Sequence, residues 1–250
     1  MSGHNKWSSI KHQKGVADAK RGRIFTKLTR EIIQSVRQGG ANPEANFHLR
    51  LAMQKARDSN MPIDNIDRAI KRGEGNLEGT SMVEMILEGY GPGGAAIMVE
   101  AISDNRNRTV QEVRSMFTRA GGNLAESGSV TWLFDNRGII VVDTGESDPD
   151  EIALHAIDAG ADDVDPGEGY IEIYTRPDAM FPIRAALEKK GLTITSAEVT
   201  KVPKSTIKLD EAGSLQVLKL MDKLEELDET TSVASNVDFS DDVLSKYRSQ

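Results

Sequence analysis

The stretch IIVVDTGESDPDEIALHAIDAGADDVDPGEGYIEIYTRPDAMFPIRAALEKKGLTITSAEVTKV, residues 139–202, decides the fold. It opens on a short apolar run at 139–142 that reads as a strand, and 148–159 reads as a helix that Ser147 or Asp148 can cap. Strand 170–174, helix 177–190 and strand 193–202 follow. If 161–164 supplies one more short strand, the order is β-α-β-β-α-β. That is the ferredoxin-like order, with helices covering one face of a small antiparallel sheet.

Working outward, residues 82–90 and 95–103 read as strands around the hairpin turn Gly91-Pro92-Gly93-Gly94. Helix 107–120 points Val110, Val113, Met116 and Phe117 inward and stops at Gly121-Gly122. Strand 129–134 and the turn Asn136-Arg137-Gly138 lead into the central stretch. Beyond it come strand 204–209, helix 211–227 and strand 232–239. These outer pieces are expected to close a second sheet that the first interrupts.

Toward the N-terminus the period becomes helical. Ile24, Phe25, Leu28, Ile32, Ile33 and Val36 form one stripe that Gly39-Gly40 ends. Helices are predicted over 43–59, with Asn42 as N-cap, and from about 62 to 73. The fold class is therefore α+β: an N-terminal three-helix domain, then two ferredoxin-like α+β domains, one inserted within the other. The boundaries are a basic arm at 1–22, a helical domain at 23–75, a linker at 74–81, a discontinuous domain at 82–135 plus 204–240, and an insert at 137–203.

Charge is sorted along the chain. Residues 1–75 hold 15 Lys or Arg against 7 acids, whereas the remainder holds 16 against 32. A net of +8 thus faces a net of −16, an asymmetry that points to nucleic acid at the basic end. Internal pairing of the two parts is the bland alternative. The absence of Cys removes disulfides and thiolate metal sites. No apolar run is long enough to span a bilayer, so no membrane role is expected.

Candidate catalytic chemistry is thin. The Gly91 turn lacks the Gly-Lys-Ser/Thr of a phosphate-binding loop, Ser127 and Ser129 lack a nucleophile elbow, and four scattered His have no metal spacing. Asp162, Asp163 and Asp165 form a rival reading as the metal cluster of a nuclease. Pro166 and Gly167 do not suit a calcium loop, so these acids read as turn residues. No cofactor, metal or small-molecule substrate is expected, and the protein is read as non-enzymatic. An adaptor working through its acidic face is a third reading.

The interface candidates lie in the first thirty residues: Lys6, Lys11, Lys14, Lys20, Arg21, Arg23, Lys27 and Arg30 against the single acid Asp18. Trp7 can stack on a base or plug the helical domain, while Asn5, His12 and Gln13 can reach base edges or sugars. A secondary anion site is placed at Arg106 and Arg108, where a helix start also reads as ordinary capping.

Three separated motifs, Gly3-His4-Asn5-Lys6-Trp7-Ser8-Ser9-Ile10-Lys11-His12, Tyr90-Gly91-Pro92-Gly93-Gly94 leading to Asp104-Asn105-Arg106-Asn107-Arg108-Thr109, and Gly121-Gly122-Asn123-Leu124 through Gly128-Ser129-Val130, occur along the chain in that order. Together they resemble the YebC family of probable transcriptional regulators, which includes the mitochondrial translational activator of cytochrome c oxidase subunit one. The resemblance spans essentially the whole chain. It implies three domains, DNA binding in some members, and ribosome-linked help with difficult nascent sequences in others. The expected partners are DNA or ribosomal RNA, with the ribosome itself as a second partner. With no presequence ahead of the first motif, a cytoplasmic bacterial member is expected.

Replacing Lys6, Lys11 and Lys14 together with Ala is expected to weaken binding to both DNA and RNA in a filter assay and to leave the thermal midpoint almost unchanged. Unaltered binding would remove the arm from the interface.

Overall fold

The computed structural model describes residues 18–75 and 82–248. Three helices come first: α1 (Asp18–Gly39), α2 (Phe47–Asp58) and α3 (Ile63–Glu74). Leu28, Ile32, Ile33 and Val36 of α1 meet Leu49, Ala52 and Ala56 of α2 and Ile66 and Ala69 of α3 in one core. The apolar stripe is the one the sequence predicts, but α1 begins before it. Helix runs unbroken through Arg21-Gly22, where the arm was expected to end. Gly22 costs about 1 kcal/mol in a helix, while Ala19, Lys20, Arg21 and Arg23 are good helix formers. These first turns reach past the core, so no apolar period marks them.

The start of α2 also moves. Asn46, not Asn42, is the cap: its side-chain oxygen accepts from the Leu49 N–H at 3.0 Å, and its amide donates to the carbonyls of Ser35 at 2.7 Å and Gly40 at 2.8 Å. One buried amide therefore ends α1 and begins α2. A Cβ on Gly39 would lie 2.7 Å from that amide. Asn42 instead closes the preceding turn through the Glu44 N–H.

Strands β1 (Val83–Tyr90) and β2 (Ala96–Ser103) form the expected hairpin, then come α4 (Arg106–Arg119) and the two-residue β3 (Asn123–Leu124). At the hairpin tip Gly93 and Gly94 take φ of 67° and 78°, which is why that turn is glycine-rich. After the insert, α7 (Glu211–Glu226) and β8 (Thr230–Ser235) complete an antiparallel sheet of order β3-β1-β2-β8. Met85, Leu87, Ile97 and Val99 pack on Val113 and Phe117 of α4 and Leu218, Met221 and Leu224 of α7. A last helix, α8 (Asp241–Arg248), buries Val243 and Leu244 against the same core. No element is predicted there from the sequence, and the strand predicted over 204–209 shrinks to one bridge, Ile207 with Val237.

The insert contains β4 (Phe134–Asp143), α5 (Pro149–Asp158), β5 (Asp163–Pro166), β6 (Tyr170–Thr175), α6 (Met180–Lys189) and β7 (Thr193–Pro203). Its antiparallel order β5-β6-β4-β7 is the ferredoxin-like one. The other sheet shares the layered α+β plan but begins with a hairpin, so its strand order differs.

The segment 129–134 is not a strand. It is a loop and a 3-10 turn (Thr131–Leu133), after which β4 runs straight through Asn136-Arg137-Gly138. Gly138 marks a close approach there, since a Cβ would lie 2.4 Å from Thr175 Oγ1. Beneath that loop lies Glu88, 3% exposed, whose oxygens accept from the N–H groups of Gly128 at 2.7 Å, Val130 at 2.7 Å and Thr131 at 2.9 Å. Burial alone would raise this carboxyl, but these N–H groups and the Thr131 hydroxyl outweigh it and hold the pKa below the ordinary value.

A group with a lowered folded pKa stabilises above its unfolded pKa, about 4.3 for Glu, and loses that contribution as pH falls through the folded value. Glu88→Gln is therefore expected to cost about 1–3 kcal/mol at neutral pH. Urea denaturation should show the gap between variant and wild type closing as the pH drops below that unfolded value.

Candidate nucleic-acid interface

Lys6, Trp7, Lys11, His12 and Lys14, with Asn5 and Gln13, lie outside the described residues. Lys20 falls on the first turn of α1, and Arg21 and Arg23 follow on its exposed surface. The chain of the arm thus enters directly into a helix that carries basic residues outward.

Two predicted interface cations have another use. Lys27 Nζ donates to the Glu225 carbonyl, and Arg30 Nη1 donates to the Asp228 carbonyl at 2.7 Å. Glu225 O is among the last carbonyls of α7, which have no partner within their own helix and carry the negative end of its dipole. Lys27 and Arg30 therefore anchor α1 on the discontinuous domain. Sequence spacing showed them off the apolar stripe, but not that a helix end would meet them.

At the proposed secondary site, Asn105 caps α4 by accepting from the Arg108 N–H at 3.0 Å. Arg108 Nη2 donates to Asp104 at 2.8 Å and Glu229 at 2.9 Å, and these carboxylates raise its pKa. An incoming anion would compete with both. Arg106 beside it is exposed.

Cations outside the predicted interface lie on α3, where Arg68, Lys71 and Arg72 share one exposed stripe opposite Ile66, Ala69 and Gly73. Their i, i+3 and i+4 spacing was the available signal. Lys55 of α2 points the other way, into the junction of the domains, 3.1 Å from Glu31. Burial pulls its ammonium pKa down, but Glu31, Glu198 and Glu100 together raise it.

The acidic turn of the insert is tied into the protein. Asp162 pairs with Arg137 at 2.8 Å, and Asp163 Oδ1 accepts from the Val164 N–H at 2.9 Å. Among the described residues no three His, Asp or Glu side chains converge as a metal site. None of the described helices is long and apolar enough to cross a membrane.

Two family models account for nearly all of this architecture. Residues 5–76 match the TACO1/YebC protein N-terminal domain, and residues 82–237 match the TACO1/YebC second and third domain. The chain belongs to the TACO1/YebC family. A relative from Dehalococcoides mccartyi strain BAV1 is 61% identical over all 250 residues, covering 100% of both chains, and is named a probable transcriptional regulatory protein. One from Geobacter sulfurreducens with the same name is 51% identical over 246 residues, 98% of this chain and 99% of its own. A crystal structure of a conserved hypothetical protein from Aquifex aeolicus is 48% identical, with a TM-score of 0.84 over 93% of this chain and 96% of that one. The three-helix and two-sheet plan is thus a shared family fold, and both curated relatives carry the name probable transcriptional regulatory protein.

Lys27→Ala with Arg30→Ala is expected to lower the thermal midpoint and leave nucleic-acid affinity within about 3-fold, since carbonyl anchors are lost rather than phosphate contacts. Arg23→Ala, at an exposed position on the same helix, should do the reverse. Calorimetry and fluorescence anisotropy on the same preparations separate the two.

Proposed function

We propose that this chain is a non-enzymatic nucleic-acid-binding regulator of gene expression acting on DNA in the cytoplasm. The observation that carries this reading is the division of labour along α1. Arg21 and Arg23 stand exposed at its leading end, next in sequence to the Lys-rich arm, while Lys27 and Arg30 a turn later hold the helix to the acidic body. A cationic tip on a body whose net charge is negative can steer a polyanion to make its first contact at that end. The names of the relatives support the same role, and Lys6, Trp7, Lys11, His12, Lys14 and Lys20 complete the proposed contact surface. Arg106 is a secondary contact of the same kind.

A second reading, a ribosome-associated factor binding ribosomal RNA, is favoured by the state of the amides on α2 and α3. Gln54 donates to Asp58 at 2.9 Å, and Asn65 accepts from Arg68. Amides so engaged do not read base edges, which leaves phosphate and shape as what these helices recognise.

If about four cations touch phosphate, raising salt from 50 to 200 mM should weaken binding by about 100-fold on duplex DNA and about 50-fold on a single strand. Salt-titrated binding to promoter fragments, run beside sedimentation with ribosomes at low and high salt, tests the reading. Tight promoter binding without co-sedimentation supports DNA, whereas salt-sensitive co-sedimentation without it supports the ribosome. Cleavage of either nucleic acid with magnesium, abolished by Asp163→Ala, would replace both with an enzyme.

A further inference from the structure

We propose that Trp132 and Lys204 form a site that stacks an unpaired nucleobase and holds its phosphate. Trp132 is 66% exposed, although its neighbours Val130 and Phe134 are buried under the first sheet at 0% and 6%. The indole is nevertheless fixed. Its Nε1–H donates to the Ser129 carbonyl at 3.1 Å, and the Tyr90 hydroxyl donates to the same oxygen at 3.1 Å. The loop that carries it hangs on the buried Glu88 carboxylate through three backbone N–H groups. A buried charge is a costly way to hold a surface loop, and what it holds in place is one bare aromatic face.

The surroundings select the occupant. Lys204 donates its backbone N–H to the Leu133 carbonyl at 2.8 Å, so its side chain springs from the residue next to the indole's own turn. Its ammonium lies 3.3 Å from Asp135 with both side chains about half exposed, an arrangement worth little in water and readily exchanged for phosphate. Ser205 and Thr206, which follow, are exposed too. An exposed indole on a loop whose backbone is bonded to that of an exposed lysine suits a base that brings its own phosphate better than it suits an apolar peptide. Because the ring is already held, little freedom is lost on binding. The base must be unpaired, in RNA or in opened DNA. This inference rests on the nucleic-acid reading above but concerns a different surface from the arm.

The chain has two tryptophans, so the full-length Trp7→Phe variant reports on Trp132 alone. Its emission should be followed while adding a short single-stranded RNA, a DNA of the same sequence, and an abasic strand of equal length and charge. Quenching by RNA, by DNA or by both, but not by the abasic strand, is expected and identifies the source. Trp132→Ala should weaken binding by about 5- to 150-fold, equivalent to ~1–3 kcal/mol for a stacked base, with Trp132→Phe retaining most of the affinity. Strands that bind with unchanged emission and undiminished affinity in Trp132→Ala would overturn this site and leave the arm's role standing. Equal quenching by the abasic strand would also overturn it. No binding of any strand by the unsubstituted chain would overturn both readings, and binding by it that Trp7→Phe loses would assign the contact to Trp7 and overturn this site.

Discussion

The arrangement of the domains depends on one half-buried ammonium. Lys55 reaches from α2 into a space where Glu31 of α1, Glu198 of β7 and Glu100 of β2 all act on it. Glu31 is its ion-pair partner at 3.1 Å, while the charges of Glu198 in the insert and Glu100 in the discontinuous domain also favour its protonated form. Lys201 of β7 lies 3.7 Å from Glu100, and Ser232 of β8 donates to that same carboxylate at 2.6 Å. Charges at such a junction are stabilising only when all are in place, because removing one leaves the others partly desolvated and unpaired.

Around that centre, the helical domain docks through contacts of mixed character. Arg184 of α6 makes a two-pronged bond to Asp58 at 2.8 and 3.0 Å, with only 11% of its side chain exposed. Phe47 and Phe181 meet edge to face at 6.0 Å, and the Arg50 guanidinium lies over both rings. Such bidentate and aromatic contacts fix orientation as well as distance. Lys27 and Arg30 add the third contact, on the end of α7. The basic N-terminal region therefore divides its cations between holding the body together and facing outward.

The two sheets are joined by β4 as well as by side chains. Phe134 at its start packs under the first sheet with Met98 and Val130, while Ile140 and Val142 further along fill the core of the second. The same strand pairs with β7 from Phe134 to Asp143, so it carries rigidity across what the sequence reads as a linker turn.

The fold class was legible in the sequence by itself, because it depends on local periods. The helical stripe from Ile24, the hairpin at Gly91, and the β-α-β-β-α-β order of 139–202 all follow from which residues must face a core, and the structure has each of them. Motifs in the right order placed the family too. Tertiary structure alone decided what the charges do. Asn-Arg-Gly at 136–138 has the composition of a turn, yet pairing with Lys201, Thr200 and Val199 of β7 makes it strand. Lys27 and Arg30 have the same chemistry as Arg21 and Arg23, and only the approach of a helix end from two hundred residues away assigns them to anchoring. A local pattern records which side chains avoid water. It does not record which partner, remote in sequence, will satisfy the ones that remain.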